Sequence, residues 1–149
     1  MALSARPSKG SDETAALLAS ATQTSTNTGA AGVRLPTSDA MVFVLDLTNA
    51  ATDSGDTLDV FVQTRVDDGA ANWLDVIHFT QILGNGSNTL QFVSKISRSL
   101  ATAEYEVGTA LGAAAVRHIF GDEWRVRFVI VDSGDADQTF TFSVTACPM

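Results

Sequence analysis

The sequence predicts an all-β fold, an antiparallel β-sandwich, on three observations. Apolar residues recur at every second position in several segments. Clusters of Gly, Asp, Asn and Ser separate those segments at intervals of about 8 to 12 residues, the rhythm of a sandwich or barrel. Charged residues make up 17% of the chain, below the usual quarter or so. Thr, Ser, Asn and Gln therefore cover much of the surface, and low charge with abundant Thr and Val favours strands over helices.

The elements follow in order. Residues 1–14 (MALSARPSKGSDET) are polar and carry Pro7 and Gly10. They read as an extended N-terminal arm, disordered in the free protein and ordered on docking. Residues 15–149 form a single sandwich domain, a length sufficient for one core. Leu17 and Leu18 sit in an Ala-rich stretch that suits a short helix or a first strand. The Thr-rich run after them favours the strand, leading into a loop near 27–32. MVFVLDLT (41–48) is a continuous apolar run of strand length, the pattern of a strand buried on both faces. NAATDSGD (49–56) is a turn. LDVFVQTRV (58–66) alternates, with Leu58, Val60 and Val62 on one face and Asp59, Phe61, Gln63 and Arg65 on the other. DDGAAN (67–72) is a hairpin connection. WLDVIHFTQIL (73–83) reads as one long strand and GNGSN (84–88) as a tight turn, after which TLQFVSKIS (89–97) returns. Residues 98–121 break the rhythm. Gly108 and Gly112 interrupt any long helix there, so the segment reads as one long crossover carrying a short helix. The last strands alternate most plainly: Trp124, Val126, Phe128 and Ile130, then, after the SGDAD turn, Phe140, Phe142 and Val144. The expected core is these residues with Leu58, Val60, Val62, Val42 and Val44.

Charge narrows the function. The chain carries a net charge of −8, all of it beyond residue 40, because the acidic and basic residues of 1–40 cancel. An acidic body repels phosphate, so no direct nucleic-acid binding is expected. The sequence shows neither a signal peptide nor a run of about 18 apolar residues, so a soluble chain made in the cytoplasm, with no membrane partner, is expected. Cys147 is the single cysteine and has no intrachain disulfide partner.

Chemistry is sparse. His78 and His118 have no serine in a nucleophile-elbow context and no nearby cysteine, so they read as structural or surface histidines and no catalytic residue is assigned. Asp53, Asp56 and Asp59 offer oxygen ligands of the kind calcium takes, as do Asp67 with Asp68, and Asp132, Asp135 and Asp137. None has the spacing of an EF-hand loop, and acidic turn residues ordinarily make Asx-turns or face water. No metal and no cofactor is assigned. Asn85-Gly86-Ser87 is a formal glycosylation acceptor that reads as a turn. Trp73 and Trp124 begin strands in apolar phase and read as core rather than sugar platforms. Interaction remains. Phe61, beside Asp59, Gln63 and Arg65, reads as an exposed aromatic, and Val129 and Val131 fall out of phase with the core face. Such a face is either a subunit interface or one that the crossover covers.

DTLDVFVQTRVDDGAANWLDVIHFTQILGNG (56–86), FGDEWRVRF (120–128) and FTFSVTACPM (140–149) resemble a family of small structural proteins of tailed phages and related prophages, the capsid decoration (auxiliary or cement) proteins. The resemblance covers roughly residues 14–149 and rests on structural motifs. It implies a jelly-roll-like sandwich, often a homotrimer, whose N-terminal arm lies across the capsid. It further implies a virion protein on the capsid exterior, bound to the major capsid protein and reinforcing the shell without catalysis. The residues expected to make those contacts are Leu3, Arg6, Pro7, Lys9, Leu17, Leu18, Phe61, Val129 and Val131. Two alternatives stand beside this reading: a tail or head–tail joining component, and a carbohydrate-binding module suggested by a sandwich with two tryptophans.

Overall fold

Nine strands form among the described residues, which in the computed structural model are 14–27, 29, 31–35, 39–65, 72–85, 89–99, 102–134 and 136–149. They are β1 (Ala15–Gln23), β2 (Val33–Arg34), β3 (Ala40–Asn49), β4 (Thr57–Arg65), β5 (Leu74–His78), β6 (Ile82–Leu83), β7 (Leu90–Ser97), β8 (Glu123–Val131) and β9 (Phe140–Pro148). The expected arm lies outside the described residues, apart from an exposed Thr14. The Ala-rich stretch at Leu17 and Leu18 is a strand.

The strands make two antiparallel sheets packed face to face, ordered β1-β9-β3-β7 and β2-β8-β4-β5, with β6 also on β4. The chain changes sheet at nearly every connection and stays in one sheet only from β4 through β5 to β6. β4 and β5 therefore pair as the hairpin expected around residues 67–72, although residues 67–71 of the turn lie outside the described residues. β7 does not return beside its predecessor but pairs with β3 in the other sheet; residues 86–88 of the turn expected at 84–88 lie outside the described residues.

The core lies between the sheets and follows the period-two pattern. Leu58, Val60 and Val62 from β4, Trp124, Val126, Phe128 and Ile130 from β8, and Phe140, Phe142 and Val144 from β9 are all buried. Aromatic pairs join the two layers: Phe43 packs on Trp124 with centroids 5.4 Å apart, and Phe128 meets Phe142 edge-on at 5.2 Å.

Three expectations need correction. On β3 the buried residues are Met41, Phe43, Leu45 and Leu47, whereas Val42 and Val44 are half-buried on the outer face. The run 41–45 is apolar at every position and hides the phase; Asp46, in step with Val42 and Val44, marks the outward side. Residues 73–83 form two strands, not one. The chain leaves β4 at residues 79–81, although Phe79 N–H still donates to Val60 O at 3.0 Å. The crossover contains no helix among its described residues. Gly108 adopts φ +90° and Ala114 φ +60°, left-handed conformations that break a helix where they occur.

Candidate functional site

The outer face of the second sheet carries most of the polar and aromatic side chains that interact. Alternation on β4 and β8 turns Phe61, Gln63 and Arg65 outward, opposite Arg127, Arg125 and Glu123 respectively. β5 adds Asp75 and His78, three residues apart, which ordinary alternation would place on opposite faces. The register explains the exception. Val62 pairs with Ile77 and Gln63 with Asp75, so β5 carries one extra residue, a β-bulge that resets the phase. Phe61 faces His78 and Gln63 faces Asp75.

These side chains form one chain of contacts. Arg127 donates from Nε to Asp75 Oδ1 at 3.1 Å and from Nη2 to Asp75 Oδ2 at 2.7 Å, a two-pronged pairing that suits guanidinium and carboxylate. Its guanidinium carbon stands 3.6 Å from the centroid of the Phe61 ring. The other neighbour of Phe61 is His78, stacked at 3.9 Å. Gln63 donates from Nε2 to Asp75 Oδ1 at 2.8 Å and accepts from Arg125 Nε at 2.7 Å. Arg125 and Arg65 both lie over Trp73, at 4.3 and 4.8 Å, and Arg65 pairs with Glu123 at 2.7 Å. Both tryptophans are thereby withdrawn from solvent, Trp124 in the core and Trp73 beneath two guanidinium groups.

The crossover closes over this face. Ala115 O accepts from His78 N–H at 3.1 Å, and Arg117 N–H donates to Val76 O at 2.8 Å, so residues 115–117 run along the free edge of β5. His78 uses both ring nitrogens: Nδ1 lies 2.8 Å from Leu111 O and Nε2 lies 2.8 Å from Asp59 Oδ1. Arg117 reaches Asp75 O and Thr109 O, and its guanidinium covers Tyr105 at 4.9 Å. A cleft of about 300 Å³ remains, lined by Gln63, Trp73, Asp75, Gly108, Thr109 and Arg127. A more apolar groove of about 390 Å³ beside it includes Leu74, Ala103, Tyr105, Val107 and Ile119.

The electrostatics follow from this packing. Burial alone would raise the Asp75 carboxyl, but hydrogen bonds from Arg127 and Gln63, the Arg127 charge and the Leu111 N–H outweigh it and hold the group below the usual carboxylate range. Arg125 is held below its ordinary value by burial first, then by the neighbouring charges of Arg127 and Arg65. The arrangement is a cationic and aromatic stack locked by one buried carboxylate.

No protein family, no curated protein sequence and no solved structure matches this chain.

The expected contact residues do not gather in one place. Leu3, Arg6, Pro7 and Lys9 lie outside the described residues. Leu17 is buried in β1 and Leu18 packs partly against the core, both on the first sheet. Phe61 is not an exposed aromatic: it is 6% exposed, with Arg127 over its ring and His78 stacked against it, and the crossover in turn holds His78. The covering-layer alternative thus holds for its part of the sheet. Val129 and Val131 do face outward on β8, half-buried and 49% exposed respectively. Leu83 joins them, since Thr57 pairs with Val131 on one side and with Leu83 on the other. Leu83 is 56% exposed, and its only sequence signal was its place at the end of an apolar run beside a turn. His118 accepts from Ser97 N–H at its Nδ1. Among the acidic turn residues, Asp59 is occupied by His78 and Gln81. Asp132 accepts from Gly134 and Ala136 N–H within its own turn. Asp67, Asp68 and Asp135 lie outside the described residues.

Proposed function

We propose that this chain is a virion structural protein that binds the outer surface of a phage capsid through exposed aliphatic side chains and reinforces the shell. The observation that carries this reading is the outward row Val131–Thr57–Leu83, with Val129 next to it on β8. It lies where the crossover does not cover the second sheet. Exposed aliphatic residues side by side on a rigid sheet are the makings of a protein-binding surface. The likeness of segments 56–86, 120–128 and 140–149 to decoration proteins supports the capsid as partner. The strand order, with the first strand against the last and the chain alternating between a four-stranded and a five-stranded layer, supports the jelly-roll reading. A protein that binds assembled shell but not separated subunits stabilises the shell by mass action. Self-association, as a homotrimer, would place three copies of the row around one point of the shell.

The test is co-sedimentation of purified protein with particles of the phage that encodes it. Val131→Asp and Leu83→Asp together are expected to abolish retention while leaving the isolated protein folded. Retention equal to that of the unaltered protein would overturn the assignment of this surface, and absence of the unaltered protein from the particles would overturn the capsid reading.

A further inference from the structure

At the end of the sandwich where β3 leads into β4 and β8 leads into β9, three carboxylates from two loops converge. Asp53 and Asp56 come from the first loop and Asp137 from the second, and one ligand oxygen of each lies within 4.8 Å of the others. Among the described residues no salt bridge reaches any of the three. Asp56 is fully buried. Its Oδ1 accepts from Ser133 N–H at 2.8 Å and from Ser133 Oγ at 2.9 Å. Its Oδ2 is equally buried and has no hydrogen-bond partner among the described residues. The two oxygens share one carbon, and one of them is the Asp56 oxygen that lies within 4.8 Å of Asp53 and Asp137. A buried carboxylate oxygen without a partner, beside two further carboxylates, is costly unless something positive completes it.

The surroundings supply more oxygen. Asp53 O accepts from Asp56 N–H at 3.2 Å, and Gly84 N–H donates to Asp56 O at 2.8 Å. A Cβ at position 84 would fall 2.1 Å from Asp53 O and 3.1 Å from Ala51 O, so glycine there lets the end of β6 approach this carbonyl-rich loop. Thr52 Oγ1 donates to Asp137 Oδ2 at 3.2 Å and orients the exposed member of the set.

We infer that Asp53, Asp56 and Asp137 hold a divalent cation of the calcium class. An all-oxygen set selects a hard cation over zinc or copper. Calcium–oxygen distances of about 2.3–2.6 Å place ligands on one ion at most about 5 Å apart, which accommodates three oxygens within 4.8 Å of one another. Calcium tolerates an irregular sphere completed by carbonyls and water, whereas magnesium demands a near-ideal octahedron. Asp137 is exposed and gives the ion a way in, while Asp56 closes the inner side. An ion here joins the β3–β4 loop to the β8–β9 loop, and each loop connects one sheet to the other. The inference does not depend on the capsid reading.

The experiment uses the full chain, treated with EDTA and desalted. Calorimetric titration with CaCl₂ is expected to give a dissociation constant on the order of 10⁻⁴–10⁻³ M or tighter. The melting temperature is expected to rise in CaCl₂ above its value in EDTA, and to rise less in MgCl₂ at matched ionic strength. Asp137→Asn is expected to weaken calcium binding by at least about tenfold without lowering the melt in EDTA, where losing one of three mutually repelling carboxylates relieves the cluster, and Asp53→Asn is likewise expected to weaken binding. Asp56→Asn removes the unpaired oxygen directly; should that variant not fold, the other two still decide. The inference is overturned if the unaltered protein gives no binding heat and an unchanged melt in about 10 mM CaCl₂. It is equally overturned if Asp137→Asn and Asp53→Asn bind calcium as the unaltered protein does.

Discussion

Asp75→Asn probes the lock on the outer face of the second sheet. The side chain of Asp75 is 5% exposed and that of its partner Arg127 21% exposed. The Asp75 carboxylate accepts from Arg127 twice, from Gln63 and, at 3.5 Å, from Leu111 N–H. The amide keeps the shape but removes the charge and turns one acceptor into a donor that faces other donors. Arg127 then sits beside Arg125 without its counterion. Removing one partner of a buried ion pair costs about 3–5 kcal/mol. The one-fifth exposure of Arg127 lets water compensate in part, so the lower end, about 3 kcal/mol, is expected here. For a domain of this size that lowers the melting temperature by roughly 6–12 °C. The assay is urea unfolding followed by tryptophan fluorescence, since Trp73 lies under Arg65 and Arg125 and Trp124 lies in the core. Arg127→Gln and the double variant complete a cycle. Because the two residues act as a unit, the double variant should cost less than the sum of the singles by about 2 kcal/mol. A cost below about 1 kcal/mol for Asp75→Asn, with the cycle additive within about 0.5 kcal/mol, would refute the view that this carboxylate locks the face.

Other outcomes test different parts of the structure. Phe142→Ala deletes a fully buried ring edge-on to Phe128 and should cost about 3–5 kcal/mol in denaturant melts. Thr141→Ala, on the outer face with its hydroxyl on Thr22, should cost well under half as much, and the reverse order would mean the faces of β9 are misassigned. The Asp75 carboxyl titrates lower in the folded chain than its ordinary value of 3.8. Its contribution is thus fully present above about pH 4 and is lost as pH falls through the folded-state value. The acid limb of a stability–pH curve should therefore be shallower below pH 4 in Asp75→Asn than in the unaltered protein, and identical limbs would contradict the assignment. Gly121→Ala would place a Cβ 2.2 Å from Arg65 O and 2.3 Å from Thr64 Oγ1, so a loss of about 1–3 kcal/mol is expected by thermal melting.

The sequence by itself determined the two-layer architecture and most of the core. On β9 from Phe140 to Thr145, on β4 as far as Gln63 and on β8, except at Phe61, Val129 and Val131, an apolar residue alternates with a polar or charged one, and a strand has only two faces, so the phase could be read from one segment at a time. It did not determine the phase of β3, where five consecutive apolar residues erase the contrast and only Asp46 marks the outer side. Nor did it show that Asp75 and His78 share a face, because a bulge in β5 is a property of its pairing with β4. Tertiary structure alone decided which outward residues meet solvent. Phe61 and Val131 both point away from the core, yet Arg127 and His78 bury one and leave the other half exposed. The carboxylates of Asp53, Asp56 and Asp137 are brought together by two loops more than 70 positions apart in the chain. Local pattern reports the direction of a side chain relative to its own strand. What lies in that direction is set by segments distant in sequence, and their docking is a consequence of how the two sheets and the crossover pack.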